Sequence, residues 1–397
     1  MITRNLRLSR FIDKNQSLLL FGPRGTGKTR LLEATLPEHA LVISLLESEN
    51  FQRYLAEPSL FSREIVKRMM SQPAHRTLVV AIDEVQKLPI LLDEVHFLIE
   101  KYKGRIVFVL TGSSARKLKR SGGNLLAARA LTTYLHPLSI LEIELDIDTV
   151  LSIGSLPGVY LDQDFAKHRL RSYIGTYIKE EIQEEALVRK IDRFARFLDL
   201  AGQLNGEPIN HSKLARTLKT TSNTVQEYFS ILVDTLLCHR LDGWSESIKR
   251  QLLQAPKYYW FDCGVLNALN GELDVDLKRS SFRYGRLFET YLTQEVIRHN
   301  DYFERGFRFF YWRDKNGLEV DLIVARSSAR PVAAVEMKSA TDPQDHDLAG
   351  LIAFGEDYPT VPLFCFCHTP RAYDLPSGVR VLPWREGLRA IGSLKVE

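Results

Sequence analysis

Short apolar runs recur through the first third of the chain. Five of them have the length of β-strands, at 17–21, 40–46, 77–82, 105–111 and 131–138. Most are apolar at nearly every position, which is typical of parallel strands that are buried on both faces. From about 59 to 70 the apolar residues recur at helical spacing instead. Strands that alternate with helices predict an α/β domain built on a parallel sheet, which we expect over residues 1–150.

The pattern changes after a Gly- and Pro-rich linker near 152–158. One helix is predicted from about 163 to 188, and residues 210–233 predict a helix, a short turn and a second helix. This pair looks like a winged helix-turn-helix, with wing strands at 238–244 and 257–261, and we assign it to a domain spanning 151–275. The second helix would present Ser222, Asn223, Thr224 and Gln226 to DNA. A helical hairpin used for packing or protein contact is the alternative.

A third domain is expected over residues 276–397. The pattern predicts a helix from 284 to about 299, followed by strands at 307–312, 318–325 and 331–339. Helix and strands together again indicate an α/β fold.

The loop after the first strand fits G-x-x-x-x-G-K-[ST] at every fixed position. It consists of Gly22, Pro23, Arg24, Gly25, Thr26, Gly27, Lys28 and Thr29. Glycines let a phosphate chain lie against bare backbone N–H groups at a helix N-terminus. Lys28 is expected to reach the β- and γ-phosphates, and the Thr29 hydroxyl to bind Mg²⁺. The loop therefore predicts a phosphate loop (P-loop) that binds a nucleoside triphosphate.

Polar residues follow two of the predicted buried strands. Asp83 and Glu84 end the run at 77–82, where Asp83 is placed to hold Mg²⁺ and Glu84 to polarise the attacking water. Ser113 and Ser114 follow the run at 105–111 and are candidates for sensing the γ-phosphate, although a simple Gly-Ser turn is the alternative.

Three segments resemble the AAA-type ATPases of bacteria and archaea that carry a C-terminal extension: GPRGTGKT, LVVAIDEVQKLP and VFVLTGSSARKLKRSGGNLLAARALTTYLHPLS. The resemblance implies ATP and Mg²⁺ as ligands and a homo-oligomer, with a hexameric ring as one form. It also implies an arginine finger from the neighbouring subunit, which we assign to Arg129, with Arg116 as second choice. The nearby cations Lys117, Lys119 and Arg120 leave open a solvated basic face or a DNA-facing loop.

The third domain resembles the PD-(D/E)XK nuclease superfamily. The resemblance rests on an acid, Asp321, and an E-x-K motif on the next predicted strand, together with Glu289 on the predicted helix. It implies that Asp321, Glu336 and Glu289 bind Mg²⁺ and that Lys338 supports the nucleophile. An exposed strand face with ordinary salt bridges is the alternative.

Composition changes this picture little. A net charge of +4 excludes a globally basic chain, so any DNA surface must be a local patch. Four scattered cysteines do not make a disulfide framework, and the Cys365-Phe366-Cys367-His368 segment lacks a second ligand pair for zinc. We find no signal peptide and no membrane span, so a cytoplasmic protein is expected.

Three functions are compatible with these residues. The first is an oligomeric ATPase that binds and remodels DNA, including branched DNA. The second is a nucleotide-switched regulator that binds DNA or protein. The third is a metal-dependent endonuclease regulated by its ATPase domain.

Overall fold

The computed structural model describes residues 2–73, 75–114, 116, 126, 129–178, 191–251, 254–327 and 330–394. The chain divides into two compact units. Unit 1 is Met1–Leu138 with Asp234–Leu237, and unit 2 is Ser139–Val233 with Cys238–Glu397. Within the described ranges, no helix is both long and apolar enough to cross a membrane.

Unit 1 contains a five-stranded sheet in which each strand pairs in parallel with its neighbours. The strands are β1 (Ser17–Phe21), β2 (Leu41–Ser44), β3 (Leu78–Asp83), β4 (Ile106–Gly112) and β5 (Ala130–Tyr134). Their order is β2-β3-β4-β1-β5, so β4 lies between the P-loop strand and the acid-tipped strand. Every residue of β1, β3 and β4 is buried, as the uninterrupted apolar runs predict.

Helices cover this sheet and complete the core of unit 1. They are α1 (Ser9–Ile12), α2 (Lys28–Thr35), α3 (Ser48–Ala56), α4 (Pro58–Met70) and α5 (Leu91–Lys101), with a 3₁₀ turn at Val85–Lys87. Pro58 suits the first position of α4, where the missing N–H is not needed. Phe61, Ile65 and Met69 form the buried stripe of α4, in keeping with the predicted helical spacing.

The helices of unit 2 are α6 (Ile147–Ile153), α7 (Pro157–Tyr160), α8 (Ala166–Ser172), α9 (Ile191–Gln203), α10 (His211–Thr217), α11 (Ser222–Asp234), α12 (Ile248–Gln251), α13 (Cys263–Leu269), α14 (Phe282–Tyr302), α15 (Ala349–Asp357) and α16 (Trp384–Gly392). The helix predicted from 163 to 188 is helical throughout its described part, 163–178, but it is not one regular α-helix. It consists of a 3₁₀ turn at Gln163–Phe165, α8 and a π-helix at Tyr173–Ile178. Gly175, which disfavours the α-helix, lies in this widened turn. Residues 179–190 lie outside the described ranges.

Unit 2 also contains an eight-stranded mixed sheet. Its strands are β6 (Cys238–Gly243), β7 (Lys257–Trp260), β8 (Arg308–Arg313), β9 (Glu319–Ser327), β10 (Arg330–Met337), β11 (Leu363–Cys367), β12 (Tyr373–Asp374) and β13 (Arg380–Pro383). Their order is β12-β13-β11-β10-β9-β8-β6-β7. The two strands expected as a wing, β6 and β7, pair with each other, and β6 continues the sheet by pairing in parallel with β8. Segments on both sides of the expected boundary at 275/276 therefore share one sheet.

The long helix α14 lies at the centre of unit 2. Its N-terminus is capped by the Ser281 hydroxyl, which accepts a hydrogen bond from the Tyr284 N–H. Most of its residues are buried, and it packs against α16, β7 and β10. This packing places Glu289 beside residues of β7 and β9.

Candidate functional site

The loop between β1 and α2 has the backbone that a P-loop requires. Gly25 and Gly27 adopt positive φ angles of 80° and 93°, a conformation that is costly for other residues. A Cβ atom at Gly22 would lie 2.3 Å from the Leu135 carbonyl oxygen. These three glycines are therefore required by conformation or by close packing.

Lys28 is buried at the start of α2 and folds back over the loop. Its Nζ donates hydrogen bonds to the carbonyl oxygens of Gly22, at 2.7 Å, and Pro23, at 3.3 Å. The Thr26 hydroxyl also donates to the Pro23 oxygen, at 2.9 Å. The loop is thus closed around a lysine ammonium, which is the charge that a triphosphate would meet.

Asp83, the last residue of β3, contacts the end of the P-loop and the neighbouring strand β4. Its Oδ2 accepts a hydrogen bond from the Thr29 hydroxyl at 2.8 Å, and its Oδ1 accepts one from the Thr111 hydroxyl. Thr29 and Asp83 were both predicted as Mg²⁺ ligands, and they are brought together across 54 residues of sequence. Hydroxyl and carboxylate oxygens are the donors that Mg²⁺ prefers, so these two residues fit that ion.

Glu84 is held in an unusual backbone conformation directly after β3. Its φ and ψ angles are 61° and 47°, the left-handed region that few non-glycine residues adopt. The Glu84 N–H donates to the Thr111 hydroxyl at 3.1 Å, and its carboxylate accepts a hydrogen bond from Gln86. Such strain concentrates at functional sites, where surrounding contacts maintain it.

The serines that follow β4 are fully buried near these acids. The Ser113 hydroxyl accepts a hydrogen bond from Gln86 Nε2 at 3.0 Å, and Ser114 accepts one from the Arg116 N–H at 3.1 Å. Sequence reasoning missed Thr111 and Gln86. The polar residue at the end of an otherwise apolar strand was the available signal for Thr111.

The candidate arginine finger lies away from the P-loop of its own chain. Arg129 immediately precedes β5, whose Ala130 pairs with Ser17 at the start of β1, whereas the P-loop follows the other end of that strand. Arg129 is partly exposed and forms an ion pair with Glu100. Arg116, the second choice, is buried. Lys117, Lys119 and Arg120 lie outside the described residues.

Unit 2 contains a cavity of about 700 Å³ beside the strands that were expected to form a nuclease-like site. Among the side chains that line it are Lys257, Glu289, Glu319, Asp321, Lys338 and His368. Glu336 lies next to these groups, because its Oε2 accepts the Asp321 N–H at 3.3 Å. The structure therefore gathers all four predicted residues and adds Lys257 and Glu319, which sequence reasoning missed.

Each of these four acids, Glu289, Glu319, Asp321 and Glu336, has a donor from the protein. Lys338 Nζ lies 2.7 Å from Glu336 Oε1, and the Met337 N–H donates to Asp321 at 2.8 Å. The Tyr259 hydroxyl donates to Glu289 at 2.6 Å, and Lys257 forms an ion pair with Glu319.

Across the described ranges, no group of three or more His, Cys, Asp or Glu side chains is placed to hold a metal ion.

Burial raises the pKa of three acids at the cavity. Burial, reinforced by the charge of Asp321, raises the pKa of Glu289 to about 7 and that of Glu336 to about 8. Burial also raises the pKa of Asp321. Perturbed carboxyl groups in a cavity are a signature of functional sites, although structural ion-pair networks share it.

The remaining metal candidate from the sequence is not supported. Cys365 and Cys367 are free thiols buried at the end of β11, as expected for a strand end. His368 contacts the Tyr284 hydroxyl at 3.2 Å.

Comparison with known families divides the chain into three segments. Residues 14–144 match the family model of the AAA domain. Residues 144–296 match a domain of unknown function, DUF8612, and residues 284–386 match a second one, DUF4143. The segment that matches the AAA domain includes the whole parallel sheet of unit 1, and the boundary expected at 275/276 falls inside the DUF8612 segment.

Three uncharacterized relatives align with most of this chain. Uncharacterized proteins of Mycobacterium bovis and Mycobacterium tuberculosis are each 25% identical over 349 residues, covering 85% of this chain and 73% of theirs. An uncharacterized protein of Methanocaldococcus jannaschii is 24% identical over 362 residues, covering 78% of this chain and 73% of its own.

A solved structure of PCH-2 from C. elegans shares 18% identity over 46% of this chain and 44% of that one. Its TM-score of 0.24 is too low to support an inference.

Proposed function

We propose that the AAA domain binds and hydrolyses Mg-ATP. The observation that carries this proposal is the hydrogen bond of 2.8 Å between Thr29 and Asp83, which joins the end of the P-loop to the acid-tipped strand. A phosphate cradle and a carboxylate meet there, as nucleotide hydrolysis with Mg²⁺ requires.

Each residue around the hydrogen bond between Thr29 and Asp83 has a role in the proposed hydrolysis. The backbone from Gly22 to Gly27 surrounds the phosphates, and Lys28 exchanges its carbonyl partners for phosphate oxygens. Thr29 and Asp83 would hold Mg²⁺, which neutralises charge on the β- and γ-phosphates. Glu84 accepts a proton from the attacking water or orients it, while Ser113 and Ser114 respond to the γ-phosphate.

The active site is completed in an oligomer. We assign Arg129 as the finger that acts in trans, since it lies at the opposite end of β5 from the P-loop edge of the sheet. A guanidinium from a neighbour would stabilise the charge of the transition state. The proposal includes a ring, of which a hexamer is one form.

DNA is the partner we propose for the pair α10 and α11. Asn223 and Gln226 are on α11, and the exposed cations Lys213, Arg216 and Lys219 lie on α10 and the turn after it. The cations that α11 lacks are thus supplied by its neighbour, and they can neutralise phosphates. Hydrolysis coupled to this contact would remodel DNA, including branched DNA.

A second candidate is a nucleotide-switched regulator that binds DNA or protein and does not cleave nucleic acid. It is favoured by the cavity of unit 2, where the four acids already have protein donors. An endonuclease regulated by ATP stays a prediction from sequence.

ATP turnover with and without DNA tests the first proposal. We expect Mg²⁺-dependent turnover that Lys28→Ala abolishes and that DNA stimulates. Absence of turnover under all conditions, with nucleotide still bound, would favour the regulator.

Duplex, single-stranded and four-way-junction DNA should be compared across salt concentrations. Changing Lys213, Arg216 and Lys219 together to Gln should reduce the salt slope by about 0.9 for each phosphate that is no longer neutralised. A variant with Lys67, Lys101 and Lys103 changed to Gln, all in unit 1, is the matched control. Equal salt slopes in both variants would show that α10 and α11 are not the DNA-binding surface.

A further inference from the structure

Lys257 is a buried cation at the cavity that the nuclease-like pattern does not include. It opens β7, the strand that β6 joins to the large sheet of unit 2. Only 2% of its side chain is exposed, and its Nζ forms an ion pair with Glu319 and lies 5.1 Å from the centre of the Tyr311 ring. A lysine this buried requires counter-charges close by.

Two of those counter-charges, Glu289 and Asp321, are acids that the nuclease-like pattern assigns to a metal. Burial opposes the charged form of Lys257, yet the carboxylates of Glu289, Glu319 and Asp321 together outweigh it and raise the pKa of the ammonium. Lys257 therefore lies within the field of the same carboxylates that would face a bound cation.

We propose that the ammonium of Lys257 takes the place of a divalent cation among Glu289, Glu319 and Asp321, so that this cavity is a metal-free binding pocket. A divalent ion could enter only against the repulsion of Lys257 and by displacing it from Glu319. The remaining acid, Glu336, gives little compensation, because its Oε1 lies 2.7 Å from Lys338 Nζ, and Oδ2 of Asp321 already accepts the Met337 N–H.

This inference sharpens the second candidate function at the same cavity. It rests on the nuclease-like arrangement of acids and not on ATP hydrolysis. Its consequence is that the terminal domain carries out no metal-dependent cleavage, and that removal of Lys257 exposes a latent metal site.

A Mn²⁺ titration of the full chain tests the proposal without measuring activity. Electron paramagnetic resonance measures the bound ion as a loss of the free-Mn²⁺ signal. All proteins carry Asp83→Asn, which removes the candidate metal ligand of unit 1, and no nucleotide is present. Failure of the ATPase proposal would leave this measurement unaffected.

We expect no Mn²⁺ binding when only Asp83→Asn is present. Adding Lys257→Met should create a Mn²⁺ site whose affinity is about tenfold or more above any Mn²⁺ binding seen with Lys257 intact. Changes of this size are typical when a partner of a metal ligand is altered. Adding Asp321→Asn to Lys257→Met should abolish that site. Lys315→Met, which removes an exposed lysine from another loop, should leave Mn²⁺ binding unchanged.

The fold of each variant is checked by circular dichroism. If Lys257→Met alone fails to fold because Glu319 is left unpaired, Lys257→Met with Glu319→Gln removes both charges and keeps the other three acids. Mn²⁺ binding with Lys257 intact, at an affinity equal to that of the Lys257 variant, would overturn the proposal. A folded Lys257 variant that takes up no Mn²⁺ would overturn it as well.

Discussion

Carboxylates lie beside a sheet in both units, but their partners differ. Asp83 of unit 1 is held by two neutral hydroxyl groups, those of Thr29 and Thr111. In unit 2, Glu319 and Glu336 are each held by a lysine. A hydroxyl can share an acid with a cation or become a ligand itself, whereas an ammonium competes with the cation for the acid. We therefore expect a cation to bind more readily beside Asp83 than beside the two acids that lysines hold.

The largest expected effect is that of a substitution at Glu84. It tests whether the site of unit 1 catalyses ATP hydrolysis. Glu84→Gln keeps the size of the side chain and its contact with Gln86 but removes the base. We expect ATP turnover to fall about 10²- to 10⁴-fold while nucleotide affinity is kept. Turnover and binding of a fluorescent nucleotide measure the two quantities. Unchanged turnover would show that Glu84 is not the base.

A substitution at Thr29 tests whether a hydroxyl is needed beside Asp83. Thr29→Val preserves shape but offers no oxygen, so Mg²⁺ affinity of the nucleotide complex should fall about 10- to 100-fold. Thr29→Ser, which keeps the hydroxyl, is the control and should resemble the wild type. Equal losses in both variants would indicate a steric effect instead of lost coordination.

Thr111 provides a smaller and purely structural test of the same network. Thr111→Val leaves Asp83 Oδ1 without a donor and the Glu84 N–H without an acceptor, which should lower the free energy of unfolding by about 1–3 kcal/mol. Thr111→Ser should retain most of the stability. Urea denaturation measures both, with exposed Thr132→Val as the control for the loss of a hydroxyl from a strand. A neutral effect of Thr111→Val would remove this hydroxyl from the network.

The last prediction concerns the pH dependence of stability and belongs to unit 2. The pKa of Glu336 is raised to about 8, because burial and Asp321 outweigh Lys338. The folded state therefore keeps a proton that the unfolded state loses near pH ~4.3, so stability falls as pH rises between these values.

Glu336→Gln should reduce this fall by up to about 1.4 kcal/mol per pH unit. Glu356→Gln, at an exposed position of α15, should leave it unchanged. Urea denaturation at several pH values measures the slopes. Equal slopes in Glu336→Gln and the wild type would contradict the raised pKa.

The sequence predicted unit 1 well because its central strands are apolar at nearly every position. β1, β3 and β4 begin and end within one residue of the predicted runs. The strand predicted over 131–138 ends earlier, at Tyr134. Pro137 follows shortly after and has no N–H to donate within a sheet. The P-loop motif also located Lys28 and Thr29, since its spacing is set by the phosphate chain.

Unit 2 shows what the pattern could not reveal. Lys257 and Glu319 are 62 residues apart, and only the joining of β6 to β8 brings their strands into one sheet. A lysine at a strand start is usually exposed, so its residue type gave no signal of burial. The π-helix at Tyr173–Ile178 was missed for a related reason, because a widened turn leaves the apolar residues close to helical spacing.

The difference between the two groups of acids can be measured in one titration. Mn²⁺ is added to the wild-type chain with and without a non-hydrolysable ATP analogue, and bound ion is followed by electron paramagnetic resonance. The account predicts one Mn²⁺ per chain only when the analogue is present, and none when Asp83 is changed to Asn. Tight Mn²⁺ binding without nucleotide, or none with it, would contradict the account.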